Sequence, residues 1–345
     1  MSFTKEQREN IIKTILLEIS NGSYNSKKIE QKYKISRQTV QRYIRRLRED
    51  DIISRQGTRR NPIYKLIFKE EKHSYKNENL DEQLIWSQDI VPFFKDVNHN
   101  TYNKLEYIFC EIFNNAIDHS GGSSINVSCS LSAVSAIISI KDNGIGIFTK
   151  LQQALNLPEK RFGILELYKG KLTTDPHSHS GEGIFFSSRI ADIFAIFSDD
   201  LCFCSGQFNK PDGILFETEE LKTGTMVLFE VNFTTPTTIK EVFDKFTEHP
   251  EHVGFTKTQV PVRMLNYGTE QNSFVSRSQA KRLMSGFDRF SDIVLDFEGV
   301  DEIRQGFADE IFRVFQLNHP ECKISIINAN SDVKKMIDHV IYTKH

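Results

Sequence analysis

The sequence predicts a multidomain α/β protein of three modules, and three observations lead to that reading. The chain has 345 residues, more than one hydrophobic core ordinarily serves. Its charge is unevenly divided: of 44 Lys and Arg, 17 fall in residues 1–70, which hold only 8 of the 46 Asp and Glu. The apolar periodicity also changes along the chain. It is helical over the first fifty residues, mixed in the middle, and an alternation of strands and helices from about Asn272 onward. A basic head on an acidic body suggests a polyanion-binding module joined to something else.

In the head, Ile11, Ile12, Ile15, Leu16 and Ile19 form a stripe of helical period over residues 5–19, which Asn21-Gly22-Ser23 ends. Ser26 to Tyr33 fits a second helix and Lys34-Ile35 a turn, after which Ser36 caps a third helix running to about Glu49. Val40, Ile44 and Leu47 line one side of the third helix; Arg37, Gln38, Gln41, Arg42, Arg45 and Arg48 occupy much of the rest. Ile52–Ser54 and Ile63–Phe68 then read as strands around a Gln56-Gly57-Thr58 turn that carries Arg59 and Arg60. The order of helix, helix, basic helix and hairpin resembles the winged helix-turn-helix domains of bacterial regulators over residues 1–70. On that resemblance Arg37, Gln38, Gln41, Arg42 and Arg45 face a major groove, while Arg59 and Arg60 at the wing, with Lys27 and Lys28, meet phosphates. A solvated basic face, or a winged fold that binds protein, would share the pattern.

Glu70 to Glu82 is polar and aperiodic and reads as a linker. Residues 80–235 then combine helical segments at Ile85–Phe94, Thr101–His119 and Ile184–Ile193 with strand-like segments, which together predict a two-layer α/β domain. On the second helix Glu111, Asn115 and Asp118 stand at i, i+4 and i+7 and share a polar face. At the exit of the strand Ser135–Lys141, Asp142 precedes Gly144 and Gly146. A carboxylate there can accept from an exocyclic amine, and the glycines let the backbone approach a flat ring. Gly181 and Gly183 open a further helix, whose unpaired N–H groups can hold phosphate oxygens. Thr225 begins a late strand after Gly224. Each feature alone is ordinary, since most glycine pairs mark turns; their order gives them weight.

The segments EIFNNAIDHSGG, KDNGIGI, SGEG and KTGTMVLFEV resemble the successive boxes of the GHKL (Bergerat-fold) ATP-binding superfamily. The resemblance implies ATP and Mg²⁺ as ligands. Glu111 would be the general base, Asn115 the Mg²⁺ ligand and Asp142 the adenine reader. Gly144 and Gly146 would form the pocket turn, Gly181 and Gly183 the phosphate loop and Thr225 the distal strand motif, with Asp118 on the cofactor side of its helix. It also implies a mobile lid from Phe148 to Ser180, whose Lys160, Arg161, Lys169 and Lys171 are candidates to approach phosphate. No GxxxxGK[ST] run supports a P-loop. Neither His73 nor His99 is placed as a histidine kinase's phosphoacceptor.

Residues 234–268 read as an inter-domain connection, and residues 270–345 as a small α/β domain. DIVLDFEGVDEIRQGFADEIF resembles a STAS-like domain of unknown function and, more distantly, anti-sigma-factor antagonists. Arg304-Gln305-Gly306 stands where phosphorylated antagonists carry an acceptor Ser, so an internal kinase and substrate pair is not expected. Five cysteines without Cys-x-x-Cys spacing, no signal-peptide pattern and no apolar run long enough for a bilayer lead to the expectation of a cytoplasmic protein away from membranes. The combined expectation is an ATP- and Mg²⁺-responsive regulator with weak ATPase activity. It would bind duplex DNA through its head, form a homodimer, and meet a protein partner through the STAS-like domain. A serine/threonine protein kinase of the anti-sigma-factor type and a nucleotide-binding scaffold without turnover are the alternatives.

Overall fold

The computed structural model describes residues 3–58, 61–171, 181–206, 214–217, 223–247, 255–266 and 273–342. The head comprises α1 (Lys5–Ser20), α2 (Ser26–Tyr33), α3 (Arg37–Glu49) and an antiparallel hairpin of β1 (Ile53–Gly57) and β2 (Pro62–Leu66). Local chemistry sets the helix starts. Thr4 and Gln7 make a capping box, and Asn25 and Ser36 accept from Lys27 N and Thr39 N. Val40, Tyr43, Ile44 and Leu47 turn one face of α3 inward onto Ile11, Ile15 and Ile29. Arg37, Gln38, Gln41, Arg42 and Arg45 are left exposed on the opposite face. Arg59 and Arg60 lie outside the described residues.

The expected linker is not a linker. β3 (Lys69–Lys76) pairs antiparallel with β4 (Ser124–Leu131) through eight residue pairs and forms one edge of the central sheet. Most of its side chains are exposed on both faces, so it lacks the alternation that betrays a half-buried strand. Tyr75 anchors it, its hydroxyl donating to Asp89 Oδ2 at 2.9 Å and its ring meeting Phe113 edge-on.

Beyond β3 come α4 (Glu82–Ile85), which continues through π and 3-10 turns to Phe94, then α5 (His99–His119) and β5 (Ser135–Asp142). α6 (Ile147–Ala154), α7 (Phe162–Lys169) and α8 (Gly183–Ile190) lead to β6 (Ile193–Ser198), β7 (Leu201–Gly206), β8 (Ile214–Glu217) and β9 (Thr225–Asn232). The seven strands run in the order β3-β4-β5-β9-β6-β7-β8, antiparallel at every step. The helices cover one face: Leu105, Ile108, Ile112 and Phe113 of α5 share a core with Val127, Ile138 and Ile140. The described part of the segment expected to be a lid carries two helices, because Phe148, Leu151, Phe162, Ile164 and Leu165 are buried and hold α6 and α7 in place. Residues 172–180 lie outside the description.

The described parts of the expected connection at 234–268 are also structured. α9 (Ile239–Asp244) stacks Phe243 on Phe186 of α8 at 3.9 Å between ring centroids. β10 (Lys257–Pro261) is an edge strand of the last domain. That domain continues with β11 (Ser273–Phe274), α10 (Arg277–Met284), β12 (Asp292–Asp296), β13 (Glu302–Ile303), α11 (Gln305–Asp309), a π-helical stretch Glu310–Phe315, α12 (Gln316–Asn318), β14 (Lys323–Ile327) and α13 (Ser331–Tyr342). β10, β12 and β14 form a parallel sheet with β12 central. No described helix is long and apolar enough to cross a membrane.

Candidate functional site

A cavity of about 150 Å³ opens where β5, β9, α5, α6 and α8 converge. β5 sends Ala136, Ile138 and Ile140 toward the helices; Asp142, two residues further, continues that face and is carried beneath α5 as a buried carboxylate. Its Oδ1 accepts from Gly144 N at 2.8 Å and Thr225 N at 3.2 Å, which leaves Oδ2 for a donor from the cavity. Burial pushes the Asp142 pKa up, against the lowering effect of the Gly144 and Thr225 N–H groups. Thr225 sits across from it at the start of β9, and its hydroxyl accepts from Ile147 N at 2.9 Å, tying the first turn of α6 to the sheet.

From above, α5 contributes Glu111, Asn115 and His119, a row at i, i+4 and i+8, beside Ile112 and Ala116. Asn115 Nδ2 donates to the Glu111 carbonyl at 2.7 Å. Only the amide nitrogen can donate there, so the amide oxygen is the free end, a hard neutral ligand. Glu111 crosses to α8: a Cβ on Gly183 would overlap Glu111 Oε2, so glycine is what lets the carboxylate rest on the start of that helix. Gly146, Gly181, Gly183 and Thr225 all line the cavity, with Ile140, Ile147, Leu151 and Val227 as apolar walls.

Two predicted residues sit elsewhere. Asp118 is exposed and outside the cavity lining. At roughly 100° per residue, the cavity lies toward Ile112 and Ala116, so position i+8 rotates in and i+7 rotates out. Gly144 is not in the lining either; a Cβ there would overlap the Ser120 carbonyl, so its lack of a side chain serves the packing of this turn against the end of α5.

Sequence reasoning did not single out Lys150. At i+3 from Ile147 on α6, it lines the cavity and donates from Nζ to the His119 carbonyl at 2.8 Å. Burial lowers its pKa, with Asp118 acting in the opposite direction. The spacing Ile147, Lys150, Leu151 was the available signal, hidden because the segment was expected to be a mobile lid.

The lid cations are engaged elsewhere. Lys160 pairs with Asp199 at 2.7 Å and Arg161 with Glu159 at 2.8 Å. Lys169, 2 % exposed, donates to Glu166 at 2.7 Å and to the carbonyls of Ser285 and Arg282 at 2.9 and 3.1 Å. Lys171 and Arg289 exchange bonds to each other's carbonyls, at 2.8 and 2.9 Å. Thr258 of β10 donates to the Lys169 carbonyl at 2.8 Å, and the Arg282 guanidinium lies 3.9 Å from the Phe162 ring centroid. α7 is thereby clamped to the C-terminal domain. An ammonium buried this deeply requires its carboxylate and carbonyl partners.

Comparison with known families agrees with this geometry. A family model described as histidine kinase-, DNA gyrase B- and HSP90-like ATPase matches residues 100–235, and one described as a STAS-like domain of unknown function matches residues 279–334. The chain therefore carries a central GHKL-type ATPase domain followed by a small STAS-like α/β domain, a pairing that supports a nucleotide-binding or regulatory role in general. No curated protein matches the chain.

Proposed function

We propose that the central cavity binds ATP with Mg²⁺ and that the chain is a nucleotide-responsive, DNA-binding regulator with weak hydrolytic activity. The observation that carries this reading is Asp142: a buried carboxylate with Oδ1 bound to two backbone N–H groups, lining an apolar slot opposite Asn115. Such an acceptor in an apolar slot suits a flat ring bearing an exocyclic amine. Asn115 Oδ1 would hold the Mg²⁺, and the N–H groups near Gly181 and Gly183 would meet phosphate oxygens. Bound there, Mg²⁺ would offset charge on the transferring phosphoryl group. Glu111, beside Asn115, is positioned to take a proton from water or from a partner's hydroxyl.

The head supports the DNA-binding part of the proposal. α3 buries its apolar stripe and leaves Arg37, Gln38, Gln41, Arg42 and Arg45 exposed on one helix, the dimension and chemistry that suit a major groove. The STAS-like domain would serve as a protein-contacting module. One experiment addresses both parts: ATP turnover with and without duplex DNA, paired with duplex binding by the wild type and by R42A/R45A. We expect wild-type duplex affinity to fall as salt rises, with the double variant binding more weakly by about 1–3 kcal/mol for each groove arginine removed. A folded chain that binds no duplex at low salt would remove the DNA from the proposal and leave the nucleotide site standing.

A further inference from the structure

Asp309 and Glu310 are adjacent acids in the STAS-like domain, each 8 % exposed. Asp309 receives Arg277 at 2.8 Å and Arg313 from the next turn. Among the described residues, the Glu310 carboxylate has no hydrogen bond or ion pair. The side chain is more than nine-tenths buried and lines a cleft, so a carboxylate with no hydrogen bond of its own is open there to a donor from outside the chain. Glu310 also opens the π-helical stretch, an irregularity that recurs at functional sites and that changes where a side chain points. It lines a cleft between the end of α10 and α12, floored by Met284, Val314 and Phe315 and bordered by Lys281 and Asp288.

We propose that this cleft binds the guanidinium or ammonium head of a basic amino acid, free or within a polypeptide, on Glu310. The lining fits the head and its stem: Phe315 and His319, their ring centroids 4.5 Å apart and tilted by 31°, offer aromatic surface to a planar cation. His319 is itself paired to Glu321 at 3.4 Å. Asp288 adds a second acceptor at the mouth. Lys281 makes the mouth unwelcoming to a bare dication and complementary to a carboxylate or carbonyl trailing the cationic head. The ligand therefore enters cation first.

The cleft is connected to the lid. Ser285 and Gly286 line it beside Met284, and the carbonyls of Ser285 and Arg282 hold the Lys169 ammonium of α7. An occupant would bear directly on that clamp. This consequence rests on the nucleotide reading of the central cavity, whereas the binding site itself does not.

The test is calorimetric titration of the full chain, without nucleotide, with three probes: L-arginine, agmatine, and an arginyl peptide blocked at both ends. We expect saturable binding by at least one probe, weakened at least about tenfold in E310Q, which keeps the side chain's shape and whose folding is checked by its melting curve. K281M, altered at an exposed site, should weaken arginine more than agmatine. Binding of arginine identifies a small-molecule source; binding of the blocked peptide alone identifies a polypeptide source. No saturable binding of any probe up to about 10 mM, or binding unchanged in E310Q, overturns the proposal.

Discussion

The two terminal modules are attached to the nucleotide domain in opposite ways. The head has its own core, and among the described residues the central domain contributes to it only Val134, at the turn between β4 and β5. The STAS-like domain shares one continuous core with the central domain. Phe255, just before β10, packs against Phe185 of α8 at 4.3 Å and Phe290 at 5.2 Å. Polar bonds from Lys169, Lys171 and Thr258 complete the join. Any rearrangement of α7 is felt by the STAS-like domain at once. A rearrangement at the cavity can reach the head along β5, which starts beside Val134 and ends at Asp142, and along β3, which continues the chain from β2 and sets Tyr75 against Phe113 of α5. The contrast assigns the two modules different channels to one cavity, a packed clamp for one and sheet strands for the other.

The largest expected effect tests whether that cavity is chemically competent. Glu111→Gln should lower any ATP turnover by about a hundred- to ten-thousand-fold while leaving ATP binding intact, as read by phosphate release beside a binding isotherm. Normal turnover in E111Q would remove Glu111 as the base.

Next come the two attachments themselves. Lys169→Met leaves the half-buried Glu166 without its partner and should cost about 3 kcal/mol, read by urea unfolding, with a shift in nucleotide affinity because α7 borders the cavity through Leu167. Adding Glu166→Gln should recover part of the loss. Val134→Ala removes two buried methyl groups and should cost about 1.5 kcal/mol, appearing as an earlier transition of the head alone. Equal effects of K169M and V134A on nucleotide affinity would break the comparison.

A smaller effect follows from Asp142. Its pKa lies above the ordinary 3.8, chiefly because burial disfavours the ionised form. The neutral acid thus persists to higher pH than for an exposed aspartate, and a protonated carboxyl is a poorer acceptor for an amine. Nucleotide affinity should be flat at high pH and decline as pH falls through that raised value. The D142N isotherm should lack this decline.

Much of the arrangement was legible in the sequence, for definable reasons. The three helices of the head, the strand-helix alternation near the C-terminus and the position of Asp142 follow from periodicity, caps and glycines close in sequence. What was missed depends on partners distant in sequence. β3 read as a linker because an edge strand exposes both faces, and its pairing comes from β4, some fifty residues on. β10 is short and is defined by its pairing with β12. α6 and α7 fell within the expected lid because each is only eight residues long and is held by tertiary burial. Placing His119 rather than Asp118 at the cavity requires knowing on which side of α5 it lies. Lys169 read as a lid cation, although its partners Arg282 and Ser285 are more than a hundred residues away.

The most direct test is titration of MgATP into the full chain and into Asp142→Asn. Asparagine can keep the Oδ1 bonds to Gly144 N and Thr225 N, and so the turn, while converting the cavity-facing atom from acceptor to donor. The account predicts saturable Mg²⁺-dependent binding by the wild type and a loss of about 1.5–3 kcal/mol in D142N with an unchanged melting profile. Equal MgATP affinity in a folded D142N, or none in the wild type, would contradict it.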